Sequence, residues 1–367
     1  PVQGLTLLVA IYVGGISGGL ITATLINIPG TPSSIFTCYD GYPMAKSGKP
    51  GTALSIGVFA SLIGGTVSAL ALFFLAPQLS KVSLIFGNWE YFAVALVGLA
   101  VVITMASNDL LKGLVGALIG IVLGSFGIDS ISGVQRLTFG NWQLMNGLNS
   151  TALMMGLFAI REILHQSVDL KEPRMHISMQ KTSFLPHLKE MKGCAKPIAL
   201  GCLIGTGIGI LPGIGGSTSS LLSYSAAKGS SKYPEKFGTG IVDGVIASET
   251  ANNAVIGGSL IPLITMGIPG NVATAIFLGG LTIHGISPGP LIFQKSGQYV
   301  YGIFIALLVA NVIMLICERA GLRLFVKLLD IPKYYLLPVV MVCCVIGAYC
   351  SNYSIFDVWC VAVFGLM

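Results

Sequence analysis

Charged side chains are scarce in this sequence. Only 9% of its 367 residues are Asp, Glu, Lys or Arg, whereas 54% are hydrophobic. Soluble domains carry a charge on about a quarter of their residues. The scarcity therefore excludes a water-soluble enzyme and predicts a protein that lies in a membrane.

The usual catalytic and ligand-binding motifs are also missing. No His-Glu-x-x-His pair or Gly-Lys-Ser/Thr loop occurs, and the eight cysteines show no Cys-x-x-Cys spacing. Metal-dependent hydrolysis and nucleotide binding depend on such motifs. Aspartyl chemistry would need paired carboxylates within the membrane, and no such pair is evident. We expect no enzymatic activity, no metal and no cofactor; an intramembrane hydrolase is the weaker alternative.

Long uncharged stretches take the place of these motifs. A membrane-spanning helix needs about 20 apolar residues, and because lipid offers the backbone no hydrogen-bond partner, spanning segments form helices. We therefore expect an all-α polytopic membrane protein. Several stretches are too long for one crossing and too short for two, which predicts discontinuous or re-entrant helices. The uncharged stretches are 1–39, 50–80, 91–108, 113–128, 137–160, 197–227, 250–294, 296–317 and 334–356.

One polar segment, 161–196, interrupts the apolar pattern and holds seven of the 20 Lys and Arg residues. Positive residues favour the cytoplasmic side of a membrane, so this segment is predicted to be a cytoplasmic linker. It is short and also carries acidic residues, so a solvated linker is a better interpretation than a nucleic-acid-binding segment.

The sequence contains an internal repeat. Residues 18–21 align with 258–261, and Ile-Pro-Gly at 28–30 aligns with Ile-Pro-Gly at 268–270. Matches in the same order at a nearly constant displacement indicate duplication. The balance of positive charge between corresponding loops reverses from one copy to the other, which favours an inverted topology.

The repeat predicts three parts of the chain. Residues 1–142 form the first repeat, 143–194 form a span followed by the basic linker, and 195–367 form the second repeat. Segment 195–253 precedes the second copy and has no counterpart before the first. We expect an N-terminal hairpin to be missing from the first repeat and the second repeat to be incomplete at its C-terminus.

Two Pro-Gly pairs lie at matching positions of the copies, each within an uncharged stretch. Proline and glycine interrupt a helix, and an interrupted helix presents free N–H groups and a positive dipole end to an anion. The alternative is a proline kink whose hydroxyl groups bond back to the helix. Because the pattern occurs twice, we favour binding of a carboxylate substrate. The candidate residues are Gly30, Thr31, Ser33 and Ser34 in the first copy and Gly270, Asn271 and Thr274 in the second.

A third interruption lies in the glycine- and hydroxyl-rich segment 211–220. Lysines flank its uncharged stretch on both sides, which favours a re-entrant hairpin or a tight helix pair. We add Gly213, Gly215 and Ser217 to the candidate substrate-binding residues.

Polar residues at 248–253 precede the second Pro-Gly pair. Carboxylate and amide oxygens near an unwound helix can coordinate Na⁺, and an intramembrane carboxylate can carry a proton. Glu249, Asn252 and Asn253 are therefore candidates for a coupling-ion site that binds Na⁺ or H⁺. The alternative is a hydrated helix end with Glu249 at the membrane interface. Asp243 and Asp357 share that ambiguity.

These motifs together resemble the large permease subunit of tripartite tricarboxylate transporters, the TctA family. The resemblance is carried by 27–34, 40–46, 211–213, 249–254, 267–270 and 285–290 and extends along nearly the whole chain. It implies a multi-pass protein of the bacterial inner membrane that works with a small membrane subunit and a periplasmic solute-binding protein. It also implies that the Pro-Gly segments hold substrate and that Asn252 and Asn253 belong to the coupling-ion region. Ser248-Glu249-Thr250 departs from the family pattern.

Cation-coupled import of a citrate-like di- or tricarboxylate is the function we expect. Membrane lipid, the organic carboxylate and the two other subunits are the expected partners. A permease for another small anionic solute and a passive channel are the alternatives.

Overall fold

The computed structural model describes residues 1–27, 29–85, 87, 89–90, 92–93, 96, 110–128, 133–149, 152–153, 155–168, 190–211, 214–328 and 333–366. Most of the predicted span 91–108 and most of the basic linker lie outside these residues. So does Gly213.

The described residues are mostly helical, with few other elements. A π-helix at Met155–Ile160 runs into the helix that follows it, and short 3₁₀ helices occupy Pro32–Ser34, Trp142–Leu144 and Pro234–Lys236. An antiparallel pair is formed by β1, Gly127–Ile128, and β2, Gln135–Arg136. The helices are α1 Val2–Ile26, α2 Ile35–Lys46, α3 Pro50–Ser83, α4 Leu110–Gly124, α5 Arg161–Val168, α6 Ala195–Ile210, α7 Gly215–Gly229, α8 Val242–Met266, α9 Val272–Ile283, α10 Ile292–Leu328, α11 Lys333–Asn352 and α12 Ile355–Leu366.

Three of the described helices are long and apolar enough to cross a membrane. They span Val2–Leu25, Pro50–Ser83 and Ile292–Gly321, and several shorter apolar helices accompany them. A helix satisfies its own backbone groups, so these uncharged sequences are stable in lipid as helices. The predicted all-α polytopic membrane fold is confirmed.

The chain divides into two compact units. Unit 1 contains 1–94 and 175–326, and unit 2 contains 95–174 and 327–367. Each unit combines a segment from the first half of the chain with one from the second half. The units are defined by contacts in space, whereas the repeats are defined by sequence, so the predicted repeat boundaries stay a prediction.

Helix bounds recur along the chain at the displacement that the sequence matches show. Helices α1 and α8 are both 25 residues long, and each bound of α8 lies 240 positions after that of α1. Both helices end at a residue in the left-handed conformation, Asn27 with φ 57° and Gly267 with φ 75°. Such a residue turns the chain sharply out of a helix. The same local structure therefore precedes each Pro-Gly pair.

Helices α1 and α8 run in opposite directions within unit 1. Tyr12 Oη lies 2.9 Å from Ser259 Oγ, whereas Asn252 Nδ2 lies 3.5 Å from Ile16 O. Residue numbers thus rise along one helix as they fall along the other. This is the orientation that two inverted copies would give these helices, although the topology of the whole repeat stays a prediction.

An apolar core holds unit 1 together. Buried side chains from α1, α3, α8, α9 and α10 form one cluster, represented by Leu20, Leu72, Leu260, Phe277 and Phe304. Because these side chains fill the space between the helices, the helix ends at the Pro-Gly pairs keep fixed positions inside the unit.

Candidate functional site

The first interruption is a capped turn packed against α1. After Asn27 the chain leaves α1, and a 3₁₀ helix begins at Pro32. The Thr31 amide donates to Ser34 Oγ at 3.1 Å, and Ser34 Oγ donates back to Thr31 O at 2.9 Å. Gly30 lies so close to Gly19 that a β-carbon on Gly30 would be 2.9 Å from Gly19 Cα. The predicted break is confirmed.

The third interruption meets the first one in space. Helix α6 ends at Ile210 and α7 begins at Gly215. A β-carbon on Gly216 would lie 3.1 Å from Ser33 Cβ and 3.6 Å from Asn252 Oδ1. The N-terminal turn of α7 therefore contacts the first interruption and the middle of α8.

Of the candidates in this third segment, Gly215 and Ser217 lie in that first turn of α7, and Gly215 has φ 72°. The first N–H groups of a helix have no partner within the helix. The turn can thus offer backbone donors beside Ser33. Gly213 lies outside the described residues, so its assignment stays a prediction.

The second interruption has the same capped design. Asn271 Oδ1 accepts from the Thr274 amide at 2.9 Å, and the Asn271 amide donates to Thr274 Oγ1 at 2.9 Å, which caps the start of α9. Asn271 Nδ2 also donates to Tyr12 Oη at 2.7 Å. A β-carbon on Gly270 would lie 3.0 Å from Ser259 Cβ, just as Gly30 lies against Gly19.

The two Pro-Gly interruptions lie at different levels of the α1–α8 pair. Gly30 of the first interruption packs against Gly19 of α1. Gly270 of the second packs against Ser259 of α8, whose hydroxyl is hydrogen-bonded to Tyr12 of α1. Seven residues of helix separate Tyr12 from Gly19, which corresponds to about 10 Å along the axis. The interruptions thus lie at two successive levels of one helix pair.

Glu249 lies completely buried inside α8, so the alternative of a hydrated helix end is wrong. Thr37 Oγ1 of α2 donates a short hydrogen bond to one carboxylate oxygen, and Ser61 Oγ of α3 donates to the other at 3.2 Å. Asn253 Nδ2 donates to Ser61 Oγ at 2.8 Å and to the Glu249 carbonyl at 3.1 Å. Three helices thus hold one buried carboxylate through neutral donors.

Asn252 and Asn253 both belong to the surroundings of Glu249. Asn252 lies beside Gly216 and α1 and also acts on the Glu249 carboxylate, whereas Asn253 bonds Ser61 and the Glu249 carbonyl. The side-chain oxygens of both residues are buried and have no donor among the described residues. Asn252 therefore connects the Glu249 site with the first interruption.

Asp40 ties the same region together. Its side chain is fully buried, and Oδ1 accepts from the amides of Gly238, Gly240 and Ile241 at 2.8–3.0 Å. Oδ2 accepts from Tyr224 Oη at 2.8 Å. Because these amides directly precede α8, the carboxylate also lies at the positive end of that helix. Asp40 therefore links α2 to the start of the helix that carries Glu249.

The two remaining acidic candidates lie elsewhere. Asp243 accepts from Cys194 Sγ at 3.1 Å. Asp357 accepts from Asn149 Nδ2 and Asn352 Nδ2, both at 2.9 Å, and lines a cavity of about 620 Å³ inside unit 2. Neither residue takes part in the Glu249 network.

Sequence reasoning missed the partners of the candidate residues. Thr37, Ser61, Gly216 and Tyr12 lie in uncharged stretches where hydroxyls and glycines are common, so nothing distinguishes them in the sequence. Asp40 carried a weak signal, since it ends the first uncharged stretch. Only the fold brings it to Gly238–Ile241, some 200 positions away.

The chemistry of the site suits binding. It offers helix N-termini, hydroxyls, amides and one buried carboxylate, and among the described residues no cluster of His, Cys, Asp and Glu could hold a metal. Interrupted helices that surround a buried polar site in a membrane are typical of secondary transporters. The fold and the site thus define a membrane transport protein.

Comparison with known proteins identifies the family. The model of the tripartite tricarboxylate transporter TctA family matches residues 1–367, so the chain belongs to that family. The chain is 37% identical over its full length to an "Uncharacterized 52.8 kDa protein in TAR-I ttuC' 3'region" of Agrobacterium vitis and covers 73% of that protein. It is also 37% identical over 163 residues to an "Uncharacterized protein in TAR-II ttuC' 3'region" of the same organism. This match covers 44% of this chain and 67% of that protein. No solved structure matches the chain significantly.

Proposed function

We propose that the protein imports an organic di- or tricarboxylate, such as citrate, across the bacterial inner membrane together with Na⁺ or H⁺. The small membrane subunit and the periplasmic solute-binding protein of the tripartite system are its proposed partners. Membership of the TctA family supports the transporter class and the existence of partner subunits.

The observation that carries the proposal is the contact between Ser33, Gly216 and Asn252. It brings a hydroxyl, a helix N-terminus and a buried amide together where two interruptions meet. Free N–H groups and hydroxyl donors bind carboxylates at helix N-termini. The N-terminus of α9, which Asn271 caps, lies about 10 Å along the same helix pair, and its first N–H groups suit a substrate with more than one carboxylate.

We infer the coupling of substrate uptake to a cation from the negative charge of Glu249. Glu249 is fully buried within α8, and α8 itself carries no Lys or Arg. A bound Na⁺ or H⁺ would neutralise Glu249 and reduce its repulsion of an anionic substrate. We assign Glu249 and Asn253 to the coupling ion and Asn252 to the boundary between ion and substrate.

A double substitution tests the substrate site. The full-length transporter, reconstituted in proteoliposomes with its two partner subunits, should lose uptake of radiolabelled citrate when Ser33→Ala and Asn271→Ala are combined. Membrane insertion and yield should remain normal. A matched control, Ser230→Ala with Asn141→Ala, makes the same chemical changes at exposed positions and should retain uptake. Unchanged uptake kinetics in the Ser33 and Asn271 variant would refute the assignment.

A further inference from the structure

Another buried carboxylate, that of Glu318, lies inside the apolar part of α10. Glu318 belongs to the span Ile292–Gly321, and only 5% of its surface is exposed. Neither carboxylate oxygen has a hydrogen-bond partner among the residues that the structure describes. Buried carboxylates normally accept hydrogen bonds or pair with a cation, so this group needs an explanation.

Neutral side chains form the surroundings of Glu318. Asn311, Met314 and Glu318 follow one another at helical spacing on one face of α10, and this face meets α1, where Ser17 Oγ donates to Met314 Sδ at 3.2 Å. The Ser17 hydroxyl also lies near the Glu318 carboxylate. Asn311 Oδ1 is buried without a donor as well. The face is therefore polar, and its described side chains, up to Gly321, carry no positive charge.

The charged groups near Glu318 would not neutralise an ionised carboxylate. Helix α1 has no charged residue, and Glu249 of α8 adds a repulsive negative charge. Lys49 and Lys81 lie at the two ends of α3 and are exposed, and Arg319, the next residue of α10, is exposed too. The other charged residue of α8, Asp243, is also acidic.

We propose that Glu318 is a second proton-binding site of the transporter, located between α10 and α1, and that it carries its proton in the conformation described above. An ionised carboxylate that is buried, has at most the Ser17 hydroxyl as a donor and faces another negative charge is strongly disfavoured, whereas the protonated acid has only one O–H group to satisfy. The Ser17 oxygen can accept that O–H group. Binding of Na⁺ is the weaker interpretation, because hard cations take several oxygen ligands and a thioether occupies this face.

The protonation of Glu318 does not depend on the proposed function. Only the role of this proton in transport rests on it. Helix movement that opened the α1–α10 contact to water would release the proton, and closure would bind it again. The proton count of the transport cycle would then include Glu318 in addition to the coupling ion at Glu249.

Infrared spectroscopy tests the protonation directly and needs no transport. Purified full-length transporter at neutral pH should show a protonated-carboxyl C=O band that disappears in Glu318→Gln and reappears at a shifted frequency in Glu318→Asp. The control Glu235→Gln, at an exposed position, should leave the band unchanged. Identical spectra for the wild-type protein and Glu318→Gln would overturn the proposal. Loss of the wild-type band on addition of Na⁺ would also overturn it, because it would identify a sodium site.

A transport measurement tests the role of the proton. Proteoliposomes containing the complete system and a trapped pH indicator should take up fewer protons per radiolabelled citrate when Glu318 is replaced by Gln. An unchanged ratio would overturn the role in transport. If the wild-type system does not transport citrate, the proposed substrate fails, and the infrared result still decides whether Glu318 binds a proton.

Discussion

At the scale of single residues, the protein handles buried polar groups in two ways. Asp40 is fully satisfied by backbone amides and Tyr224, whereas Asn252, Asn253 and Glu318 keep buried oxygens without donors in the described part of the chain. A satisfied buried group supports the fold, and an unsatisfied one needs a separate explanation. We therefore assign a structural role to Asp40 and propose binding roles for the other three.

Replacing Asp40 by Asn should destabilise unit 1. The amide keeps the size of the side chain but loses the negative charge that faces three backbone N–H groups. Hydrogen bonds to a charged group contribute about 1.5–3 kcal/mol, so the free energy of unfolding should fall by about that amount. Thermal unfolding of the purified protein in detergent measures the change. Glu235→Gln makes the same kind of substitution at an exposed site and should have almost no effect; an equal loss in both variants would contradict the role of Asp40.

At the scale of elements, the sequence predicts the interruptions, because proline, glycine and hydroxyl residues affect the backbone of their immediate neighbours. The helix ends at Ile26 and Met266 follow from the residues beside them. The pairing of elements was not readable, because Gly216 meets Ser33 only after α7 folds against the first interruption. Glu249 was recognised as a candidate, but its donors Thr37 and Ser61 come from two other helices.

The close approach of α7 to the first interruption predicts that a side chain at Gly216 disturbs the contact with Ser33. An added methyl group would force Ser33 to move by a few tenths of an ångström. Gly216→Ala should weaken the apparent affinity for citrate by roughly tenfold, which corresponds to about 1.4 kcal/mol. Saturation of uptake gives this affinity. Gly229→Ala, at the other end of α7, meets nothing within 4 Å and should behave like the wild-type protein; equal affinities for both variants would argue against the contact.

The contact between α3 and α8 depends on Gly64 in a similar way. A β-carbon on Gly64 would collide with the Thr250 carbonyl oxygen, and overpacking of this kind costs typically about 1–3 kcal/mol. Gly64→Ala should therefore lower the unfolding temperature in detergent. Gly116→Ala, in α4, meets nothing within 4 Å and should be neutral or slightly stabilising. If Gly64→Ala is as stable as Gly116→Ala, the helices do not pack this closely.

At the scale of the whole molecule, the sparse charge carried most of the information about fold class. Uncharged stretches predicted the helices, and the repeated Pro-Gly pairs predicted their interruptions. The sequence could not show that α1 and α8 pack directly against each other, because such contacts depend on residues far apart in the chain. For the same reason it could not show that Asn252 lies between Gly216 and the Glu249 carboxylate.

The account of the whole molecule predicts that Glu249 couples transport to a cation. Glu249→Gln removes the charge that a Na⁺ or H⁺ would neutralise while keeping the side chain's size. Uptake driven by an imposed ion gradient should be lost, whereas exchange of labelled for unlabelled citrate at equal ion concentrations should persist. Accumulation that responds to the gradient as in the wild-type protein would show that the coupling ion binds elsewhere.

Gradient-driven uptake tests the central claim most directly. Radiolabelled citrate uptake into proteoliposomes with the complete system should saturate with citrate and exceed equilibrium only when an inward Na⁺ or H⁺ gradient is imposed. Dissipation of the gradient should return internal citrate to the external concentration. Uptake that neither saturates nor responds to either gradient would instead indicate a passive channel and would contradict cation-coupled carboxylate transport.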